Sequence, residues 1–190
     1  MSSPTAIHRM MLEIETARLR YRMPRPHDLD AMLVIVGDPD VMKYLGVKPG
    51  TTLTREEAKT TLERMIKFWT EHGFGRWAVT SKKDDKLIGL CGFRLLDDTP
   101  ELFYVFAKST WGEGLATEAA RAILRYGFEE LGFEKIVAAV RPANIASINV
   151  ITKIGMMYEK EISHYGINAV RYLITRDDYQ CDDSPYRLSP

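Results

Sequence analysis

The stretch "WGEGLAT", Trp111 to Thr117, opens a segment that otherwise reads as a helix ending near Gly132. Its two glycines, Gly112 and Gly114, need a reason, because glycine costs a helix roughly 1 kcal/mol relative to alanine. The first N–H groups of a helix lack partners and carry a partial positive charge, so they form a ready anion site. A side chain at Gly112 or Gly114 would hold a phosphate away from those amides, and Thr117 adds a hydroxyl in the first turn. The order strand, loop, helix in "YVFAKSTWGEGLA" points the loop amides at one spot. The predicted chemistry is a backbone cradle for phosphates; the plain alternative is a turn that happens to use glycine. Two other phosphate sites fail on context. A P-loop requires a lysine that is absent here. A Rossmann crossing requires a third glycine where Thr117 stands, after a first strand rather than a meander strand.

The rest of the chain must position that cradle. Its 190 residues suit one domain. We expect a loose tail at 1–10, the domain at 11–180 and a C-terminal tail at 181–190. Hydrophobic residues make up 45% and charged residues 27%, an ordinary soluble composition. Lys+Arg and Asp+Glu both number 26, so no basic excess points to nucleic acid or an anionic membrane as partner. Cys91 in "LIGLCGFRL" reads as a buried small hydrophobe. Neither the cysteines nor the four histidines show metal-ligand spacing, so no metal is expected. The start lacks a signal peptide, and no window approaches the ~20 apolar residues of a membrane span. A cytoplasmic location is the expectation.

Periodicity gives a coarse element order. A strand is predicted near Ala17 to Arg22, then a helix from "PRPHDLDAMLVIV" to Gly37 and a short turn in "DPDVMKYLG". In "TLTREEAKTTLERMIKFWTEHG", Thr54 and Glu57 fit a capping box and Gly73 a stop. "FGRWAVTS", "KLIGLCGFRLL" and "ELFYVFAK" read as an antiparallel meander. In the last, Phe103 and Val105 face one way and Leu102, Tyr104 and Phe106 the other, so this strand is central and covered on both sides. Beyond the cradle helix come a buried strand, "EKIVAAV", a short helix in "NIASINVITKIG" and a closing hairpin around "YGIN". The chain after Asp178 looks irregular. Phe68, Trp69 and Trp77 are core candidates. The whole is a mixed α/β (α+β) domain with one sheet covered by helices.

These residues resemble a known family. "WGEGLA" is similar to the signature of the GCN5-related (GNAT) N-acetyltransferases, with Trp111 in place of the usual Gln or Arg. "NIASINVITKIGM" is similar to the Asn-x-x-Ser pattern of the ribosomal-protein (RimJ/RimL-like) subgroup, with Met156 replacing a Phe. The resemblance runs from "IETARLRYR" to "RYLITRDDY". It implies the GNAT fold, a mostly antiparallel mixed sheet that splays between its fourth and fifth strands, "ELFYVFAK" and "EKIVAAV". It also implies acetyl-CoA as cosubstrate and direct acetyl transfer to a primary amine.

By the same resemblance, the amides of Trp111, Gly112, Glu113, Gly114, Leu115 and Ala116, with Thr117, would hold the pyrophosphate. The strand edge at Tyr104, Val105 and Phe106 would pair with the pantetheine arm, and an N–H near Val105 would receive the charge on the thioester oxygen. Glu101 is the implied base, against a solvated carboxylate at a strand end. The family's common tyrosine acid is absent, since Ile151 stands there, and Ser147 is implied in its place, with Tyr158 as a second candidate. Asn144 and Ser147, three apart, share a helix face near the thiol end, and Asn144 also suits an N-cap. The implied acceptor is a protein N-terminus. A small amine such as a polyamine, aminoglycoside or amino acid derivative stays open, as do a silent CoA-binding regulatory module and a homodimer.

Overall fold

The computed structural model describes residues 12–46, 48, 50–164 and 166–190. The predicted tail at 1–10 lies outside them, as does Tyr165 in the last hairpin turn. In chain order the strands are β1 (Glu13–Thr16), β2 (Leu19–Arg22), β3 (Arg76–Ser81), β4 (Leu87–Leu96), β5 (Thr99–Phe106), β6 (Lys135–Val140), β7 (Met157–His164), β8 (Ile167–Thr175) and β9 (Tyr186–Ser189). The helices are α1 (Leu29–Val36), α2 (Pro39–Met42), α3 (Arg55–His72), α4 (Leu115–Arg125) and α5 (Ile145–Lys153). A widened π-helical turn, Tyr126–Glu130, continues α4 toward Gly132.

Local signals fix most of these elements. Glu57 accepts the Thr54 N–H at 2.8 Å while the Thr54 hydroxyl accepts the Glu57 N–H at 3.3 Å, so the capping box forms as spaced. Ala58, Leu62, Met65 and Trp69 then fall on one face of α3 and are buried. The meander β3–β4–β5 is antiparallel throughout. Trp77 and Trp69 are fully buried and meet edge to face at 4.7 Å. Cys91 is also fully buried.

The strands form one sheet in the order β7-β8-β6-β5-β4-β3-β2-β1-β9. Only the β5–β6 pair is parallel. α4 and α5 cover one face over Trp77, Phe93, Leu102, Phe106 and Ile136, and α1 and α3 cover the other over Leu90 and Val105. The two faces of β5 are therefore both apolar, as its sequence predicted. The fold is the expected mixed α/β sheet covered by helices. No described helix is long and apolar enough to cross a membrane.

Two differences from the sequence reading have one cause. The predicted first strand is a hairpin, β1 and β2, folded at Ala17 and Arg18, with the Thr16 hydroxyl accepting the Leu19 N–H at 3.2 Å. The chain after Asp178 is not wholly irregular, because β9 pairs with β1 from Glu13↔Ser189 to Thr16↔Tyr186. Both strands are four residues long, too short to show a period, and β9 finds its partner at the other end of the chain. Tyr186 and Leu188 pack against the core. Deleting residues 185–190 should lower stability by about 2–3 kcal/mol, from two half-buried apolar side chains and a lost ladder. Urea unfolding of the shortened and full chains checks this; equal stability would make the segment a mere tail.

Candidate functional site

The site begins where β5 and β6 part. They share a single register pair, Glu101↔Val137, and then diverge. The antiparallel register with β4 decides which β5 groups face the gap. The Ala107 N–H donates to Ile88 O at 2.8 Å, and alternation then turns Val105, Phe103 and Glu101 toward β4. Tyr104 and Phe106 point their backbone groups the other way, into the gap. The sequence placed the oxyanion-binding N–H near Val105; the register gives Val105 to Leu90 and leaves its two neighbours on the open edge.

The glycine loop closes one end of that gap. The Trp111 indole N–H donates to Phe106 O at 3.0 Å, tying the loop to the strand. Gly112 and Gly114 have φ of +80° and +77°, so both require left-handed backbone. No atom lies within 4 Å of where a Cβ at Gly112 would stand, and the space over the loop is open. The first amide of α4 with a backbone partner is that of Glu118, to Gly114 O at 3.1 Å. Among the described residues, the amides from Gly112 to Thr117 have none. Leu115 anchors the loop by burial in the core. A groove of about 810 Å³ continues past Gly114 and Thr117, with Arg121 and Lys153 on its walls. Unpaired amides, an open loop face and an open strand edge together fit a phosphate-bearing, amide-rich ligand.

One support of the loop was not legible in the sequence. The Arg18 Nη1 donates to Glu113 O at 2.8 Å and its Nε to Glu118 Oε2 at 2.7 Å. Glu118 Oε1 also accepts the Thr16 hydroxyl at 2.6 Å and the Arg18 N–H at 2.9 Å. Burial alone would raise this carboxyl, but the Thr16 and Arg18 hydrogen bonds outweigh it and hold it below its ordinary value of 4.5. The acid in the first turn of α4 is thereby turned away from the cradle.

Two hydroxyls meet on the α5 side of the gap. Tyr104 Oη lies 2.7 Å from Ser147 Oγ and also donates to Ser147 O at 3.2 Å. Burial pushes the Tyr104 phenol well above its ordinary range, against a smaller opposite effect of Ser147, so it stays protonated. Asn144 is the N-cap of α5, accepting the Ser147 N–H at 3.2 Å. Tyr158 is 59% exposed with its ring against Tyr172 and makes no contact with this pair.

Glu101 faces the other side of β5. It is 2% exposed, so it is not the solvated strand-end carboxylate considered above. Both its oxygens accept from the Arg94 fork, at 2.5 and 2.8 Å. Arg94 thus occupies both carboxylate oxygens in a two-pronged contact. Beyond the site, Arg141 bonds Tyr44 O at 3.2 Å and Gly46 O at 2.8 Å, tying the end of β6 to the segment after α2.

With this geometry established, comparison with known proteins is informative. A family model described as an acetyltransferase (GNAT) domain matches residues 18–157. The chain is 29% identical over 158 residues to an uncharacterized N-acetyltransferase, p20, of Bacillus licheniformis, covering 82% of this chain and 88% of that one. A solved GNAT-family acetyltransferase from Bacillus anthracis superposes with a TM-score of 0.75 at 28% identity, covering 87% of this chain and 99% of that chain. RimJ of Mycobacterium smegmatis, solved in complex with CoA-disulfide, superposes with a TM-score of 0.71 at 19% identity, over 87% and 88%. This last likeness is one of fold.

The Glu118 clamp makes a prediction about acid. A carboxyl held below 4.5 stabilises the fold above that pH and loses its effect as pH falls through the folded value. Glu118→Gln should cost about 1–3 kcal/mol at pH 7 and much less near pH 3. Urea unfolding at both values checks this; a loss that does not shrink with acid would refute the clamp.

Proposed function

The chain belongs to the GNAT acetyltransferase family and is an acetyltransferase; from that premise we propose that its acceptor is a protein or peptide N-terminal α-amine, in the manner of the ribosomal-protein subgroup. The observation that carries this reading is the Arg94 fork on Glu101. With both oxygens engaged by Arg94, Glu101 is poorly placed to take a proton directly from the amine, so the site suits an amine that needs little help. With pKa values of about 7.7–8.0 and 10.4, about a third of an α-amine is neutral at pH 7.5, against about one lysine amine in a thousand.

Acetyl-CoA supplies an activated acetyl thioester. The amides from Gly112 to Thr117 would hold its phosphates, with Trp111 fixing the loop against β5. The open edge at Tyr104 and Phe106 would pair with its amide-bearing arm and offer N–H groups to an oxygen gaining charge. Ser147, backed by the Tyr104 hydroxyl, would give a proton to the departing sulfur. Glu101 would receive the amine's proton through a water. Asn144 acts by capping α5 and so placing Ser147.

Three results test this. Calorimetric titration should show acetyl-CoA binding and no ATP binding. A peptide with a free N-terminus should be acetylated at pH 7.5 at least about a hundredfold faster than one with a blocked N-terminus and a free lysine. Ser147→Ala with Tyr104→Phe should lower kcat about a hundredfold and leave acetyl-CoA affinity nearly unchanged. Lysine acetylation at equal rate would overturn the acceptor assignment. Binding without any turnover would mark a regulatory CoA-binding module instead.

A further inference from the structure

On the face of β5 that carries Glu101, two guanidinium groups share one aromatic ring. The Arg76 guanidinium of β3 lies 5.3 Å from the Phe103 ring centroid and that of Arg94 lies 5.0 Å from it. Arg94 is engaged by Glu101. The Arg76 carbonyl accepts the Trp69 indole N–H at 2.9 Å, but its guanidinium makes no hydrogen bond and no ion pair among the described residues; the Phe103 ring is what it touches. Two positive charges thus face one carboxylate, and the surplus belongs to Arg76. Burial, with the Arg94 charge adding to it and the Glu101 carboxylate opposing it, lowers the Arg76 guanidinium to about 10, still cationic at neutral pH.

The backbone explains how Arg76 reaches the ring. Arg76, Gly92 and Phe103 stand in one row across β3, β4 and β5. A Cβ on Gly92 would fall 2.2 Å from Gly75 O, so the middle position admits no side chain. With no side chain at Gly92 between them, the Arg76 guanidinium reaches the Phe103 ring. This arginine pair is reached by solvent, since Arg76 is only partly buried and the Arg94 side chain is 42% exposed. It flanks the strand in which the next residue after Phe103, Tyr104, faces the gap, on the side opposite Ser147.

A partly buried cation whose nearby carboxylate, Glu101, is already engaged on both oxygens by Arg94 gains from a ligand that brings a second anion. The planar fork of arginine matches a carboxylate. We propose that Arg76 is a specificity residue that binds a carboxylate carried by the acceptor, so that the preferred acceptors are amines bearing an acidic group close to the amine. Such a group is an Asp or Glu near a free N-terminus, or the carboxylate of a short peptide. This rests on the amine-acetyltransferase reading above.

The test is initial-rate acetylation by the full chain of two matched pairs. One pair is glycylglycine and its C-terminal amide; the other is tetrapeptide amides starting Ala-Asp or Ala-Asn. The carboxylate member of at least one pair should show a KM about tenfold lower at similar kcat. Arg76→Gln should erase that difference without changing acetyl-CoA affinity, and Arg76→Lys, which keeps the charge and loses the fork, should retain part of it. Equal KM values in both pairs, or a difference that survives Arg76→Gln, would overturn the inference and leave the acetyltransferase reading standing. If no amine is acetylated, the acceptor reading falls on its own. The inference is then judged by titrating N-acetylglycine against N-acetylglycinamide with CoA present. Binding of the carboxylate alone, lost in Arg76→Gln, sustains it; no binding overturns it.

Discussion

Two strands in the middle of this sheet run parallel, pair once at Glu101↔Val137, and then part, and the rest of the molecule is arranged around that separation. Interior backbone groups left without partners cost about 1–3 kcal/mol each. The sheet is otherwise continuous across nine strands, so the gap is a local exception. The fold limits its cost in stated ways. The Trp111 indole takes the Phe106 carbonyl at the mouth. The Tyr104–Ser147 contact ties β5 to α5 across one side of it. The Arg141 bonds to Tyr44 and Gly46 tie the end of β6 to the opposite half of the molecule. What remains is a rigid slot with hydrogen-bonding capacity on its wall, which is what an amide-rich ligand arm needs.

The side-chain alternation of β5 then divides the chemistry. Even-numbered residues face α4 and α5 and present neutral hydroxyl chemistry at Tyr104. Odd-numbered residues face the other way and present charge, with Glu101 between the strands and Phe103 under two arginines. In the proposed reaction one strand would serve the leaving group on one face and the acceptor on the other. Arg94 has a double effect there. It engages both oxygens of Glu101 in a place with 2% exposure, and its charge adds to the burial that lowers the Arg76 guanidinium.

Much of the frame was legible in the sequence because its signals are local. The Thr54–Glu57 box, the glycine stop of α3 and the meander turns each sit within a few residues of their partners. The two-faced pattern of "ELFYVFAK" placed β5 at the centre before any contact was known, since only a central strand buries both faces. The special backbone at Gly112 and Gly114 was legible for the same reason, and both adopt left-handed φ. The features that escaped are all pairings across long separations. β9 on β1, Arg18 on Glu118 and Tyr104 on Ser147 leave no trace in spacing. The direction of the Val105 amide also escaped, because it depends on the β4 register rather than on β5 alone. Glu101 was singled out by resemblance, but its Arg94 partner appears only once the two strands are aligned at Arg94↔Glu101.

The proposed reaction requires that the acetyl donor lie in the slot beside β5. Residue-resolved amide hydrogen exchange, with and without acetyl-CoA, addresses it most directly. In the free protein the Val105 amide should exchange slowly, while those of Tyr104 and Phe106 should exchange faster. Acetyl-CoA should slow the latter two together with the amides from Gly112 to Thr117, and leave Val105 unchanged. Protection that appears elsewhere, or an unchanged pattern at Tyr104 and Phe106 under saturating acetyl-CoA, would contradict the account.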